Sequence, residues 1–334
     1  MKVCFKLIEA GSGSDVWTYN MAKSLQAFGV DTQVDLLPHH YQYYPDLIGS
    51  AMAKTDADIV HTNSWNGFRF AQSGVKLVTT EHLVVHDPLI RPYKSFAQAR
   101  YHNLVRWYEQ RAFAAADAIT AVSQYTAGQV KHCFGVQAQA IQNGIDVEQF
   151  YPQTVSDELV PQARDKIKLL FVGNFTRRKG ADLLPHIMEQ LGDRFVLLTT
   201  SGLQDKRVAE SKQIISIGRL NAEQLRQFYN YADIFLFPTR LEGLSLTTIE
   251  AMACGMPVVT TDCFSMPELI VDRQGGFLCQ QDSVDHFVQS IQTLAESSAL
   301  RRQYGEFNRS HVESRFSLTG MVQQYVDLYQ GLLA

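Results

Sequence analysis

The chain has 334 residues, of which 46% are hydrophobic and 19% are charged, and its formal net charge at pH 7 is −4. A length of about twice that of a typical domain predicts two domains, each large enough to bury a hydrophobic core. The slightly acidic balance excludes a chain-wide basic surface and gives no reason to expect nucleic acid as a partner.

The five cysteines indicate a reducing compartment. They stand at positions 4, 133, 254, 263 and 279, are odd in number and lack the spacing of metal ligands, which is typical of free thiols. The first residues run directly into a strand-like segment and leave no room for a signal peptide. No apolar run approaches the roughly 20 residues of a transmembrane helix. We therefore expect a cytoplasmic protein that can still contact the inner face of the cell membrane.

Short β-rich runs alternate with amphipathic helical stretches along the chain. Six strands are predicted in the first half, at residues 3–8, 33–37, 58–61, 76–80, 118–122 and 138–142. Six more are predicted in the second half, at residues 168–172, 195–200, 214–217, 234–238, 257–260 and 276–279. Alternating strands and helices indicate parallel α/β sheets. Because the polar stretch 151–165 separates the two series, we predict two doubly wound, Rossmann-like domains.

A glycine-rich loop follows the first predicted strand. Gly11 and Gly13 open a helix, and Asp35 lies further on, an arrangement similar to a dinucleotide-binding fingerprint. Val16 stands where the third glycine of that fingerprint belongs, so the pattern is incomplete as an NAD site. The alternatives are a tight turn, which glycine favours through its freedom at positive φ, and a backbone that approaches a phosphate-bearing ligand.

Two stretches of the first half have an unusual composition. The loop 38–45 contains histidines and tyrosines between two prolines. Residues 91–113 contain Glu109 as their one acidic residue and carry five cations, Arg91, Lys94, Arg100, Arg106 and Arg111. Ordinary exposed surface is one interpretation of both. The other is that aromatic rings stack on an acceptor sugar while the cations attract anionic lipid or phosphate.

A histidine, His82, follows the fourth predicted strand and is preceded by Glu81. The carboxyl ends of parallel strands line the ligand crevice of doubly wound sheets, so we favour a functional histidine over a structural one. His86 stands four residues further on and could form a metal-binding pair with His82, but no third ligand is evident in the sequence.

A basic run lies between two glycines after the seventh predicted strand. Gly173 and Gly180 flank the sequence that ends in Arg178-Lys179. Arginine can bind phosphate through two parallel hydrogen bonds, and lysine supplies a point charge. A solvated basic turn is the alternative, but the flanking glycines favour a phosphate-binding loop in which Arg178 and Lys179 clamp a diphosphate.

Two glutamates, Glu242 and Glu250, stand eight positions apart. We expect Glu242 on the loop that leaves a buried strand and Glu250 one to two turns into the next helix. Backbone N–H groups of Gly243, Leu244 and Ser245 should point outward at the start of this helix, which predicts a phosphate site. A nucleotide-sugar suits this set, with Glu250 for ribose hydroxyls, the N–H groups for diphosphate and Glu242 for the sugar.

These motifs resemble those of the retaining glycosyltransferases of family four, also called glycosyl transferases group 1, which have the GT-B fold. The segment from Glu242 to Glu250 is similar to the E-x7-E signature of the family. Residues 141–146 are similar to its N-G-I-D segment, and residues 171–180 to its basic donor-phosphate loop. The matches occur in the order of the family and cover nearly the whole chain.

The resemblance implies an arrangement of domains. Residues 1–155 would form an N-terminal Rossmann-like domain that binds the acceptor, and residues 156–316 a C-terminal Rossmann-like domain that binds the nucleotide-sugar donor. The two domains of this fold face each other across a cleft. Residues 317–334 would form a helix that returns to the N-terminal domain.

The resemblance also implies roles for individual residues. It assigns four catalytic residues, Glu242, Arg178, Lys179 and His82, of which His82 hydrogen-bonds the donor sugar. The implied donor-binding set is Gly11, Gly13, Arg178, Lys179, Arg219, Leu220, Glu242, Gly243, Leu244, Ser245 and Glu250. Within it, Arg219 and Leu220 contact the nucleotide base. Neither a metal nor a cofactor is implied, because cations and helix dipoles replace the metal.

We therefore predict a retaining, metal-independent hexosyltransferase. It would move a hexose-type sugar from a nucleoside-diphosphate donor to a glycan or a lipid-linked glycan. We expect a UDP-sugar as the donor in preference to a GDP-sugar. The reaction would belong to the biosynthesis of a bacterial surface polysaccharide, such as lipopolysaccharide. The alternative is a GT-B-shaped protein that binds nucleotide or glycan without transfer, or a sugar epimerase or phosphorylase. Two departures bear on donor choice, since many relatives have arginine in place of Asn174 and Gly-Gly in place of Phe264-Ser265.

Overall fold

The computed structural model describes residues 1–9, 11, 13–200 and 212–334. The chain divides into two compact units. The first consists of Met1–Asn143 together with Leu318–Ala334, and the second of Gly144–Ser317. Each unit contains one six-stranded sheet, and every paired strand in both sheets is parallel. The predicted α/β class with two parallel sheets is confirmed.

The first unit has its strands in the order β2-β1-β3-β4-β5-β6. Their bounds are β1 (Lys2–Ile8), β2 (Asp31–Leu37), β3 (Ile59–Asn63), β4 (Lys76–Glu81), β5 (Ala118–Ala121) and β6 (Gln139–Ala140). The helices of the first part of the chain are α1 (Gly13–Ala27), α2 (Ser50–Ala53), α3 (Phe96–Ala115) and α4 (Gln124–Phe134). Short 3₁₀ turns, among them Pro88–Tyr93 before α3, complete the connections.

The C-terminal helix, Leu318–Leu333, belongs to this first unit. Its buried face includes Val322, Tyr325 and Tyr329, which share a hydrophobic cluster with Phe5 of β1 and Trp17 of α1. This is the apolar face that its helical periodicity predicts. The helix is therefore part of the core and not a loose terminal segment.

The second unit has its strands in the order β12-β11-β10-β7-β8-β9. Their bounds are β7 (Ile167–Phe171), β8 (Phe195–Thr200), β9 (Ile214–Gly218), β10 (Ile234–Phe237), β11 (Val258–Thr261) and β12 (Gly276–Cys279). The helices are α5 (Leu184–Leu191), α6 (Ala222–Tyr231), α7 (Leu246–Ala253), α8 (Met266–Leu269), α9 (Val284–Ala295) and α10 (Ser298–Arg315). All residues of β8, β10 and β11 are buried, as expected of parallel strands covered on both faces.

All twelve predicted strands are present with small differences at their ends, but the boundary between the units differs from the prediction. Residues 144–155, which the sequence analysis gave to the first domain, lie in the second unit. The backbone N–H of Ile145 donates to the carbonyl of Phe316 at 2.9 Å. The guanidinium of Arg309 in α10 donates to the carbonyl of Phe150 at 2.7 Å. These long-range contacts attach the segment to the second unit, and no local sequence pattern reports them.

The strand order of the second unit places two loops side by side. β7 and β10 are neighbours although they are distant in sequence, because the order of the strands reverses between them. In open parallel sheets, ligands bind beyond the carboxyl ends of the strands at such a switch point. The loops that follow Phe171 and Phe237 therefore meet where a ligand is expected.

Candidate functional site

The loop after β7 forms a short 3₁₀ turn, Arg177–Lys179, that carries the predicted clamp. The hydroxyl of Thr176 caps the turn by accepting from the N–H of Lys179 at 3.3 Å. Gly180 ends it in a left-handed conformation, with φ of 71°. A Cβ atom at Gly180 would lie 1.9 Å from the carbonyl oxygen of Pro238. Only glycine permits both the conformation and the close approach of this turn to the loop after β10.

Arg178 and Lys179 converge on Glu242, a contact that the sequence analysis did not predict. The Arg178 guanidinium donates to Oε1 of Glu242 at 3.1 Å and to the carbonyl of Leu241 at 2.7 Å. Nζ of Lys179 lies 3.5 Å from the same carboxylate oxygen. Gly173 leaves room for this lysine, since a Cβ atom there would lie 3.0 Å from Cδ of Lys179. Two cations thus surround one carboxylate and leave an excess of positive charge at the switch point.

The two cations favour the charged form of Glu242. Burial by itself would raise the pKa of Glu242, but Lys179 and Arg178 outweigh it and hold that pKa below its ordinary value. Burial lowers the pKa of Lys179, and the charge of Glu242 opposes the shift. Glu242 and Lys179 are mostly buried, whereas about a third of the Arg178 side chain is exposed, with a relative area of 34%. A ligand can therefore reach the arginine while the glutamate holds both cations in place.

Helix α7 begins where the sequence analysis placed it. Ser245 is its N-cap, and its hydroxyl accepts from the N–H of Thr248 at 3.3 Å. Glu242 lies on the loop before the helix, and Glu250 is the fifth helical residue, so both predicted placements are confirmed. Gly243, Leu244 and Ser245 are buried in the connecting segment. That their N–H groups bind phosphate stays a prediction.

Glu250 does not join the charged group around Glu242. Its carboxylate accepts a hydrogen bond from the hydroxyl of Tyr229 in α6, at 2.9 Å. Burial raises the pKa of Glu250 to about 7, and the bond from Tyr229 opposes the shift. The two glutamates of the motif therefore have different partners, and their pKa values are shifted in opposite directions. Sequence reasoning missed Tyr229, which donates from a neighbouring helix.

Ser265, one of the residues that departs from the family pattern, supports the site. Its hydroxyl donates to the main-chain carbonyl of Glu242 at 3.0 Å. Phe264 beside it is buried and adopts a left-handed conformation, with φ of 57°, which a residue other than glycine rarely adopts. At these two positions the chain therefore has a buried ring and a hydrogen bond to the backbone of the central glutamate.

Arg219 and Leu220 follow β9 at the carboxyl edge of the same sheet. The side chain of Arg219 is exposed and that of Leu220 is half-buried. Their placement agrees with a site that extends along this edge. Contact with a nucleotide base stays a prediction.

Of the glycine loop of the first unit, the structure describes Gly11 and Gly13. Gly11 has φ of 61°, and its N–H donates to the carboxylate of Asp15 at 2.6 Å. Gly13 is the first residue of α1, and a Cβ atom at this position would meet nothing within 4 Å. The positive φ of Gly11 therefore favours glycine at that position, whereas at Gly13 there is room for a side chain. A role of either glycine in binding a donor phosphate stays a prediction.

His82 lies directly after β4, at the carboxyl end that the sequence analysis predicted. Its ring packs edge-on against Trp17 of α1, with ring centroids 5.1 Å apart. Burial lowers the pKa of His82 to about 4, and Asp15 opposes the shift. Its Nε2 atom is buried and has no hydrogen-bond partner among the residues that the structure describes. A neutral ring with a free nitrogen suits a hydrogen bond to a hydroxyl group, and contact with a donor sugar stays a prediction.

His86 pairs with a glutamate and not with His82. Nε2 of His86 lies 2.8 Å from the carboxylate of Glu109 in α3. Burial raises the pKa of Glu109 to about 8, and burial together with the charge of Glu109 raises the pKa of Glu81 to about 8. Over the described ranges, no group of three or more histidine, cysteine or acidic side chains is arranged to hold a metal ion.

A buried arginine, Arg240, was missed by the sequence analysis. It follows β10 and carries ion pairs to Asp182 and Asp282, each at 2.5 Å. Its main-chain N–H donates to the carbonyl of Arg178 at 2.7 Å. The local sequence, a buried strand followed by a single arginine, does not predict a buried ion-pair network, because the partners of Arg240 lie on two other loops.

Two family models match the chain. The Glycosyltransferase Family 4 model matches residues 35–149, and the Glycosyl transferases group 1 model matches residues 155–311. The chain is also 25% identical over 316 residues to alpha-maltose-1-phosphate synthase of Mycobacterium tuberculosis, with 85% of this chain and 81% of that protein covered.

Two solved structures share the fold. Sucrose-phosphate synthase from Thermosynechococcus elongatus has a TM-score of 0.87 at 19% identity, with 99% of each chain covered. HepE of Anabaena, in complex with UDP-glucose, has a TM-score of 0.80 at 16% identity, with 99% of this chain and 100% of that chain covered. At such identities the likeness shows the fold alone, which is GT-B. Since the two family models together span most of the sequence, the chain belongs to family 4 of the glycosyltransferases, the glycosyl transferases of group 1.

Proposed function

We propose that this glycosyltransferase moves a hexose-type sugar from a nucleoside-diphosphate donor to a glycan or lipid-linked glycan, with retention of anomeric configuration and without a metal ion. The observation that carries the proposal is the convergence of Arg178 and Lys179 on Glu242 at the switch point of the second sheet. This geometry supplies fixed positive charge where a diphosphate can bind, and a carboxylate beside it that can accept hydrogen bonds from a sugar.

The clamp acts mainly on the leaving group. When the bond between the anomeric carbon and the diphosphate oxygen breaks, negative charge grows on that oxygen, so fixed cations stabilise the transition state more than the ground state. The acceptor oxygen attacks the same face of the sugar, and its proton passes to the departing diphosphate oxygen. Bond formation on the face that the leaving group vacates retains the configuration. Glu242 keeps Arg178 and Lys179 in place during this step.

The nucleoside is assigned to the other glutamate. Glu250 is half-buried, holds one hydrogen bond from Tyr229, and can accept further bonds from the two hydroxyls of a ribose. We favour uridine as the base because HepE, which shares the fold, has been solved with UDP-glucose. A GDP-sugar is the second choice. Thermal shift with UDP, GDP and their sugars tests this, because a nucleotide well above its Kd stabilises the folded protein by a few kcal/mol.

A surface of the first unit suits an acceptor presented at an anionic membrane. Along α3, the exposed residues Phe96, Arg100, Leu104 and Trp107 recur at helical spacing, so they lie on one face. Phe96 is 83% exposed, and residues 88–108 contain no acidic residue. Aromatic rings insert at the level of lipid headgroups, and cations are attracted to anionic lipid. Within the described residues, no helix is both long and apolar enough to cross a bilayer, so this contact would be peripheral.

Liposome flotation tests the membrane contact. We expect the chain to float with vesicles that contain an anionic lipid and to stay behind with neutral vesicles. The double variant Phe96→Ser, Trp107→Ala should lose flotation, whereas Tyr19→Ser, which removes an exposed aromatic residue of α1, should keep it. Equal behaviour with both vesicle types would favour a soluble glycan acceptor and leave the transfer reaction untouched.

The transfer reaction is tested with UDP-glucose and a panel of glycan acceptors in the presence of EDTA. We expect release of UDP and a product whose anomeric proton shows the α configuration of the donor by NMR. A β product would contradict retention, and loss of activity in EDTA would contradict metal independence. Binding of UDP-glucose without transfer to any acceptor would favour the alternative, a nucleotide-binding protein of the same fold. These reactions would serve surface polysaccharide biosynthesis at the inner face of a bacterial membrane. None of the five cysteines, all of which the structure describes, forms a disulfide, which suits this compartment.

A further inference from the structure

Arg240 joins three loops at the carboxyl edge of the second sheet. Its side chain is only 4% exposed. Toward β7, its guanidinium donates twice to Asp182, at 2.5 and 3.1 Å, and once to the carbonyl of Arg177, at 2.5 Å. Toward β12, Nε donates to Asp282 at 2.5 Å. The strand order explains this reach, because β10 lies between β7 and the β11–β12 pair.

The surroundings of Arg240 argue against direct contact with a diphosphate. Two carboxylates neutralise its charge, and the side chain is buried, so it adds no free positive charge at the site. Arg178, in contrast, is partly exposed and shares a single carboxylate with Lys179. Because Arg240 is buried and has several protein partners, its place is beside the clamp, as a residue that supports Arg178 and Lys179.

The clamp turn is short and is held in part from outside. Arg177–Lys179 is a single turn of 3₁₀ helix, a form with poor hydrogen-bond geometry that is used only in short pieces. The Arg240 side chain and main chain bind two successive carbonyls of this turn, those of Arg177 and Arg178. These bonds fix the backbone from which Arg178 and Lys179 project.

We propose that Arg240 is a positioning residue that holds the Arg177–Lys179 turn in register with Glu242, so that the two clamp cations are preorganised for the donor diphosphate. The positioning itself is a property of the free protein, and only the identity of the ligand rests on the proposed function. Preorganised charge is effective because it needs no rearrangement when the ligand binds or reacts.

Hydrogen exchange of the ligand-free chain, followed by mass spectrometry, tests the positioning directly. In Arg240→Met we expect a peptide that covers residues 174–182 to exchange about tenfold faster, because opening of the turn becomes easier. The matched control is Arg301→Met. Arg301 is also mostly buried in the second unit and binds two carbonyls, but it pairs with Asp233, at the opposite edge of the sheet. Unchanged exchange of the 174–182 peptide in Arg240→Met, or an equal increase in the control, would overturn the proposal.

A milder variant keeps the test decisive if Arg240→Met does not fold. Asp282→Asn removes one ion pair and leaves the guanidinium in place, and we expect an increase of about two- to fivefold in the exchange of the same peptide. Wild-type exchange in a folded Asp282→Asn protein would contradict a role of this ion pair in holding Arg240.

A double-mutant cycle with UDP separates positioning from general stability. Arg240→Met should raise the Kd for UDP by about tenfold in the wild-type background but by less than twofold in Lys179→Ala, because two residues that act through one interaction are not additive. The same factor in both backgrounds would overturn the proposal. If the wild type binds neither UDP nor GDP, the proposed function fails, and the exchange measurement still decides the role of Arg240.

Discussion

The two sheets have the same six-stranded parallel plan, but the groups at their carboxyl edges have opposite electrostatics. In the second unit, Lys179 and Arg178 hold the pKa of Glu242 below its ordinary value. In the first unit, β4 ends on Glu81, whose pKa is raised to about 8 by burial and by Glu109. The pKa of Glu242 is therefore shifted toward the charged form, whereas the pKa of Glu81 is shifted toward the protonated form.

The same parallel topology therefore carries different side-chain chemistry at its two carboxyl edges. Fixed cations suit a diphosphate. A protonated carboxyl and a neutral imidazole can both donate and accept hydrogen bonds, which suits the hydroxyls of a sugar. His82 provides such an imidazole directly after β4, next to the buried Glu81.

The largest expected effect is at the charged edge. Lys179→Ala should lower kcat/KM for the nucleotide-sugar by about two to three decades, because the charge acts on the leaving diphosphate. Steady-state kinetics measure this, and Lys131→Ala, at an exposed position of α4, is the control. Activity of Lys179→Ala within a few-fold of the wild type would remove the lysine from the site.

The two glutamates of the second unit should fail differently. Glu242→Gln should lower kcat by about one to two decades yet keep the Kd for bare UDP within a few-fold, since the clamp cations remain. Glu250→Gln should weaken UDP and the UDP-sugar alike, by about tenfold, because an amide has one acceptor oxygen where the carboxyl group has two for the ribose hydroxyls. Calorimetry that shows equal losses of UDP binding in both variants would contradict this division.

The buried Glu109 of α3 should make the stability of the first unit depend on pH. The pKa of Glu109 is about 8 in the folded protein and about 4.5 when unfolded, so the folded state binds the extra proton. Its contribution to stability is complete below pH 4.5 and is lost as the pH rises toward 8. Glu109→Gln cannot lose this proton. The Tm of the variant minus the Tm of the wild type should therefore increase between pH 6 and pH 8. The exposed Glu148→Gln is the control, and a constant Tm difference for Glu109→Gln would contradict a protonated Glu109.

The smallest expected effect concerns the support of Glu242. Ser265→Ala removes the hydrogen bond from the serine hydroxyl to the main-chain carbonyl of Glu242. A hydrogen bond of this kind contributes about 1 kcal/mol. We expect kcat to fall by about two- to fivefold with an unchanged Kd for UDP. Ser283→Ala, which removes the cap of α9, should cost stability without this loss of kcat. If both variants lower kcat equally, Ser265 acts through general stability.

The sequence predicted those parts of the molecule that local patterns encode. Strands and helices follow hydrophobic periodicity, and parallel topology places strand ends together, so the positions of Arg178, Lys179 and Glu242 followed without a structure. Arg240 did not, because its partner Asp182 is 58 positions away and belongs to another loop. Tyr229, the partner of Glu250, was missed for the same reason. The boundary at residue 155 was misplaced because Ile145 and Phe150 are fixed by long-range contacts.

The most direct test of the clamp compares UDP with uridine by isothermal titration calorimetry. The ratio of their Kd values isolates the contribution of the diphosphate, because the nucleoside is common to both ligands. In the wild type we expect UDP to bind at least about a hundredfold more tightly than uridine, and in Lys179→Ala we expect this ratio to fall by about tenfold or more while the Kd for uridine stays the same. An unchanged ratio in Lys179→Ala would contradict the assignment of Arg178 and Lys179 as the diphosphate clamp.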